Sequence, residues 1–249
     1  MSAAIWDFLL MIAEKIGEFF AFIFSPLEEV IAPATWTLVS TATLETIMMV
    51  IFSTLFSVII GLPLGILLCV TDPVHGIIPK KVLNQILNRV VDVFRSFPFL
   101  ILMVLLLPLA RFFIGTAIGT AATVVPLSIA AAPFVARVIE TALKEIDPGV
   151  IQAARSMGST NFQIITKVML PESLPSLVDG ITLTIINLIG YSAMAGTIGG
   201  GGLGALAIQY GYNRFRGDVL LVSVIVILIM VGVVQITGTS WSSRIMKKR

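Results

Sequence analysis

Five uncharged, strongly apolar runs, joined by connections that carry most of the charge, divide the chain: residues 46–70, 97–110, 115–136, 180–198 and 219–236. A helix needs about 20 apolar residues to cross a bilayer, and these runs approach or exceed that length. The second reaches residue 114 if Arg111 snorkels to the interface. In the first, Gly61, Pro63 and Gly65 predict a kink or a close helix contact. The third is built largely from small residues, among them Gly115, Gly119, Ala121, Ala122, Ala130, Ala131 and Ala132. Small side chains let helix backbones approach, so this run is expected inside the bundle. The pattern predicts an all-α integral membrane protein of five transmembrane helices, with one transmembrane domain over residues 39–249.

Residues 1–38 read differently. Asp7, Glu14, Lys15 and Glu18 share about a third of the helical wheel, and Ile5, Phe8, Leu9, Ile12, Ile16, Phe19, Phe20 and Ile23 cover much of the rest. These four charges make a sixth span expensive, so an N-terminal amphipathic helix lying in the interface or against the bundle is expected. No basic n-region and no small-residue cleavage site marks it as a signal peptide.

Residues 147–175 form a polar island between apolar runs. Asp147 is placed to cap a helix with Pro148 at its first position, where a missing N–H costs nothing. On that helix Val150, Ala153, Ala154 and Met157 fall on one side of the wheel, and Gln152, Arg155 and Ser156 on the other. Gly158 is expected to end it. Thr160 and Gln163 make a capping-box pattern for a second helix, which Pro171 is expected to close. An amphipathic helix pair between two spans is shaped to press against another protein.

Composition supports the membrane reading. The 249 residues are 57% hydrophobic and 12% charged, with a mean hydropathy of +1.03. A net charge of +2 without a basic stripe argues against a nucleic-acid partner. One cysteine, Cys69, excludes a disulfide within the chain, and His75 stands alone, which reads as a loop residue.

Cationic residues set an expected orientation. Lys80, Lys81, Arg89, Arg95, Arg137, Lys144, Arg155, Lys167, Arg244, Lys247, Lys248 and Arg249 lie on one side, against Lys15, Arg111, Arg214 and Arg216 on the other. Twelve against four puts the 147–175 island and the C-terminus in the cytoplasm, and the N-terminus outside.

No catalytic constellation is present, and no G-x-x-x-x-G-K-[ST] loop cradles ATP phosphates. The run GGGGLG at 199–204 lacks the Lys and Ser/Thr of such a loop and reads as a flexible reversal between the last two runs. Glu45, Asp92, Glu140, Asp179 and Asp218 fall at or beyond the ends of the runs, so no mid-membrane relay for protons or sodium is expected. The energy for any transport must then come from another chain. Arg95-Ser96-Phe97-Pro98-Phe99 reads as an interface anchor with a helix starting near Pro98. The segment 209–216 mixes aromatic and cationic residues, which suits either an interface belt or contact with an external protein. Tyr191, Ser192 and Met194 lie in the one patch mixing aromatic, hydroxyl and thioether side chains, consistent with a gate or with plain helix packing.

Gln152-Ala153-Ala154, then Gly158, then Leu170-Pro171 resembles the EAA loop of bacterial ABC importer permeases, with Gln152 where that pattern has Glu. Further stretches, RSFPFLILMVLLLPLARFFIGTAIGT, VPLSIAAAPFVARVIETALKEI and GYSAMAGTIGGGGLGALAIQYGY, resemble the membrane subunit of the methionine ABC importer family. The resemblance covers roughly residues 41–249. It implies a type I permease fold and a homodimer in the bacterial inner membrane. Its partners would be two cytoplasmic ABC ATPase subunits, which carry the ATP and magnesium, and an extracytoplasmic methionine-binding lipoprotein. It also implies that Gln152, Ala153, Ala154, Arg155, Met157, Gly158 and Pro171 couple to the ATPase, and that Tyr191, Ser192 and Met194 flank the translocation path. A permease of the same fold for another small amino acid or metabolite, or a non-transporting membrane scaffold, are the competing readings.

Overall fold

The computed structural model describes residues 14–15, 33–74 and 76–247, with the backbone alone at 33 and 34. The interfacial helix expected over residues 1–38 falls almost wholly outside the described residues, as do His75, Lys248 and Arg249. Among the described residues all the regular structure is helical. In chain order it comprises α1 (Pro33–Val70), α2 (Lys81–Ser96), α3 (Phe99–Ile114), α4 (Thr120–Lys144) and α5 (Pro148–Ser156). Then come α6 (Asn161–Gln163), a π-helical turn (Ile164–Met169), α7 (Leu170–Glu172) and α8 (Leu174–Gly196). The chain ends through α9 (Gly202–Leu206), a second π-helical turn (Ala207–Tyr212) and α10 (Gly217–Met246).

Four of these helices, α1, α4, α8 and α10, are long and apolar enough to cross a membrane. The pair α2 and α3, bent by 105° at residues 97–98, supplies a fifth crossing if counted together. Helices suit a bilayer because every backbone N–H and C=O along a span bonds within the span. The bend falls where expected: Pro98 sits at the N-cap of α3, and the residue before a proline avoids helical geometry.

The small-residue run becomes the centre of the bundle. The apolar stretch of α4 is 61% buried, against 28% for α1, 39% for α8 and 17% for α10. Gly61 and Gly65 mark where α1 crosses it: a Cβ at Gly65 would lie 2.6 Å from the Ala136 carbonyl oxygen. At the other extreme, α10 turns Ile225, Leu228, Ile229, Val233 and Ile236 outward, an apolar belt that suits lipid.

Two expectations are corrected. The first span begins well before residue 46, because α1 runs unbroken from Pro33 and holds Glu45 inside it. The GGGGLG run is no flexible reversal: Gly202, Leu203 and Gly204 open α9, which folds back into the bundle with Leu203 fully buried. Both corrections share one cause. Glu45 Oε2 accepts the Gly202 backbone N–H at 2.7 Å, and Thr46 Oγ1 accepts that of Leu203 at 2.9 Å. A carboxylate that reads in sequence as the end of a span is satisfied by the first turn of another helix, whose N–H groups lack partners of their own.

Candidate functional site

The polar island folds as its local sequence dictates. Asp147 Oδ1 accepts the Gly149 N–H at 2.7 Å with Pro148 in the first turn, which fixes the start of α5. Gly158, at φ +81°, turns the chain out of the helix, and Ser159 N–H donates back to the Ala154 carbonyl at 3.2 Å. Thr160 and Gln163 close a reciprocal capping box that starts α6.

Pro171 does not end the second helix as expected. The π-helical turn before it shifts the bonding register, with Leu170 N–H donating to the Ile165 carbonyl. The helical run then continues through Pro171 to Glu172, and the break falls at Ser173, just before α8. A wider turn ahead of a proline relieves the clash its ring makes with the preceding turn.

The faces of α5 also differ from the wheel. Ala154 is 3% exposed and packs with Ile164, Met169 and Leu177, and Ile151 lies beside it. Arg155 extends sideways, its guanidinium donating to the Ile77 carbonyl at 2.8 Å, which ties α5 to the connection between α1 and α2. Val150 and Met157 face outward instead of sharing the buried side with Ala154, Met157 being 79% exposed. Gln152 and Ala153 are exposed as well. Phe162, which the sequence did not single out, is 75% exposed on α6. A wheel separates apolar from polar positions but cannot separate an apolar side chain meant for the chain's own core from one meant for a partner.

Beneath α5, a ladder of charges braces the same end of the bundle. Arg137 bridges Asp92 and Glu140, each at 2.7 Å, and Lys144 bridges Glu140 at 2.8 Å and Asp72 at 2.7 Å. Arg137, Glu140 and Lys144 recur at three- and four-residue steps on α4, so one helix face joins α2 to the connection after α1. Asn84 adds to this joint, donating from α2 to the Leu68 carbonyl at 2.8 Å.

The second group lies on α8. Tyr191 stacks on Phe99 of α3, with ring centroids 4.2 Å apart and planes 8° from parallel. Ser192 is buried and donates to the Ile189 carbonyl at 2.7 Å, turned into the chain's own core. Met194 is 48% exposed and stands apart from Ser192 on the outer face of α8, in line with Leu183 and Gly190. The three residues are thus neighbours in sequence that point three ways. At the same end of the molecule, Arg216 pairs with the buried Asp218 at 2.6 Å and donates to Thr35 Oγ1, pinning the start of α10 to α1. Arg214 lies over the Tyr210 ring at 4.3 Å.

A family model described as "binding-protein-dependent transport system inner membrane component" matches residues 61–247. The chain is 49% identical over 212 residues to the probable D-methionine transport system permease protein MetI of Pasteurella multocida, covering 85% of this chain and 97% of that one. It is 50% identical over 159 residues to the methionine import system permease protein MetP of Bacillus subtilis, covering 64% and 72%. Among solved structures, an inward-facing MetNI methionine ABC transporter contains a chain that superposes with a TM-score of 0.84 at 42% identity, covering 86% of this chain and 99% of that one. An amino acid ABC transporter solved with histidines shares the fold at a TM-score of 0.68 and 20% identity.

Proposed function

The chain belongs to the family of binding-protein-dependent transport system inner membrane components, and from that membership we propose that it is the membrane-spanning subunit of an ATP-driven methionine importer. The observation that carries the mechanism is on the 147–175 loop. Met157 and Phe162 stand exposed on short helices whose ends are fixed by Asp147, Gly158 and the Thr160–Gln163 box. Large apolar side chains held out on a loop whose helix ends are fixed suit a pocket on another protein. In this reading that protein is the ATPase subunit, one for each copy of a permease homodimer.

Coupling then follows from rigid contacts. A partner shifts a two-state bundle only if it binds the two states differently. When ATP draws the ATPases together, α5 moves with them. Arg155 and the buried Ala154 pass that motion to the α1–α2 connection and to the foot of α8. The spans rock, the cavity opens outward to accept methionine from a lipoprotein on the far side, and hydrolysis resets it. In this assignment α5 and the C-terminus are cytoplasmic and the N-terminus is outside. Gln152, Ala153, Ala154, Arg155, Met157, Gly158 and Pro171 form the coupling surface, and Tyr191, Ser192 and Met194 line or support the gate. Gln152, exposed and neutral, offers hydrogen bonds where the general loop pattern has a carboxylate.

Reconstitution with the ATPase and the binding protein in liposomes tests the reading. ATP-dependent uptake of labelled methionine, competed by excess unlabelled methionine, is the expected result. Uptake that methionine fails to compete assigns the fold to another cargo, and no ATP-dependent uptake of any amino acid overturns it.

A further inference from the structure

A cavity of about 420 Å3 opens at the end of the bundle that carries α5, between α4, the foot of α8 and the last turn of α2. That volume falls within the range of small-molecule sites, about 300–1,000 Å3. Its lining includes Arg95, Arg137, Glu145, Asp179 and Leu183. Arg137 is already engaged by Asp92 and Glu140. The other three charges are not neutralised. Among the described residues Arg95 makes no ion pair, Glu145 accepts only the Ser176 hydroxyl at 2.7 Å, and Asp179 only the Ser242 hydroxyl at 2.8 Å. A hydroxyl supplies a hydrogen bond but no opposite charge.

The cavity also sits in line with the outer face of α8. Asp179, Leu183, Asn187, Gly190 and Met194 recur at three- and four-residue steps, so they share one helix face. Leu183, Gly190 and Met194 are exposed along it and Asn187 is half-buried. A solute moving along that face past Met194 arrives at Leu183 and the three charges.

We propose that this cavity is a zwitterion subsite: Arg95 takes the carboxylate of a free α-amino acid, Asp179 and Glu145 take its ammonium group, and Leu183 meets its apolar side chain. Charges of both signs around one cavity select a ligand that carries both, since a simple anion or cation would leave one set uncompensated. The proposal rests on the import reading above and deepens it by naming where the backbone of the cargo is held.

The test is uptake and ATP hydrolysis, measured together on the complete transporter in liposomes, for wild type and for Arg95→Gln, Asp179→Asn and Glu145→Gln. Each replacement keeps the local hydrogen-bonding shape, so Ser176 and Ser242 retain acceptors. The expected result is a roughly tenfold loss of methionine uptake for Arg95→Gln and Asp179→Asn, from the lost charge-assisted contacts. ATP hydrolysis is unchanged, and Arg95→Lys recovers part of the loss. Unchanged uptake in all three variants overturns the subsite while wild-type uptake leaves the import reading intact. Parallel loss of ATP hydrolysis overturns it too, because the residues then serve folding or assembly, and so does a loss of uptake that a higher methionine concentration fails to relieve, because the residues then serve coupling. A wild-type transporter without ATP-driven methionine uptake instead counts against the import reading itself.

Discussion

Glu45 on α1 accepts the backbone N–H of Gly202 at 2.7 Å, joining the first span to the first turn of α9 across 157 residues of sequence. A carboxylate there compensates the positive end of the helix and satisfies a donor that the helix cannot. Glu45→Ala is expected to lower stability by about 1–2 kcal/mol, the usual cost of a lost cap with an orphaned donor. Glu45→Gln keeps an acceptor and should lose less. Thermal unfolding of the purified protein in detergent checks this; equal melting temperatures for Glu45→Ala and wild type would show that the cap contributes nothing.

Arg137 offers a harsher test of the ladder under α5. Glu140 has a side chain only 7% exposed and depends on Arg137 and Lys144 for its compensation. Removing one partner of a buried ion pair costs about 3–5 kcal/mol, whereas replacing all partners together can be near neutral. Arg137→Leu should therefore destabilise the bundle strongly, and adding Glu140→Leu should restore part of the loss. A double variant no more stable than the single one would show that the two charges do not share an energy term.

Met157 and Phe162 carry the contact prediction. If they anchor the loop in the ATPase, Met157→Asp and Phe162→Asp should each weaken assembly by about 2 kcal/mol or more, roughly thirtyfold in affinity. Both side chains are exposed, so the isolated permease should melt as before. Copurification of the ATPase with tagged permease reads the effect, and undiminished recovery with both variants would place the docking surface elsewhere.

Tyr191 separates packing from chemistry on α8. Its ring lies flat on Phe99, so Tyr191→Phe should preserve stability and uptake, while Tyr191→Ala should cost about 0.5–1.5 kcal/mol beyond the lost area. A large uptake defect in Tyr191→Phe would mean that the hydroxyl, not the stack, is what the path uses.

The features legible in the sequence are those decided within a few residues. Asp147 with Pro148, Gly158, and Thr160 with Gln163 each fix a helix end by local hydrogen bonds, and the structure keeps all three. The small-residue run over α4 is equally legible, because close packing needs small side chains wherever it occurs. What the sequence hides is long-range. Glu45 reads as the edge of a span because its partner, the Gly202 N–H, is backbone and lies 157 positions away. Pro171 reads as a stop because the π-helical turn that accommodates it leaves no residue-type signal. Met157 groups with Ala154 on a wheel because both are apolar, although Ala154 packs inward and Met157 is exposed.

In the coupling reading proposed above, Gly158 joins local geometry to transport. Its φ of +81° is a conformation that a β-branched residue adopts at a cost of about 1–3 kcal/mol, yet a Cβ there would meet nothing within 4 Å. The penalty of Gly158→Val is therefore one of backbone strain, not of crowding. The loop can relieve it only by changing the exit from α5, which moves Met157 relative to Phe162. Insertion and span packing should survive, while ATP hydrolysis loses its link to uptake. Gly158→Asn, which tolerates the left-handed region, should keep most of both. Measuring uptake per ATP hydrolysed in liposomes decides between them: a Gly158→Val transporter with the wild-type ratio would show that the angle between the two short helices does not carry the coupling.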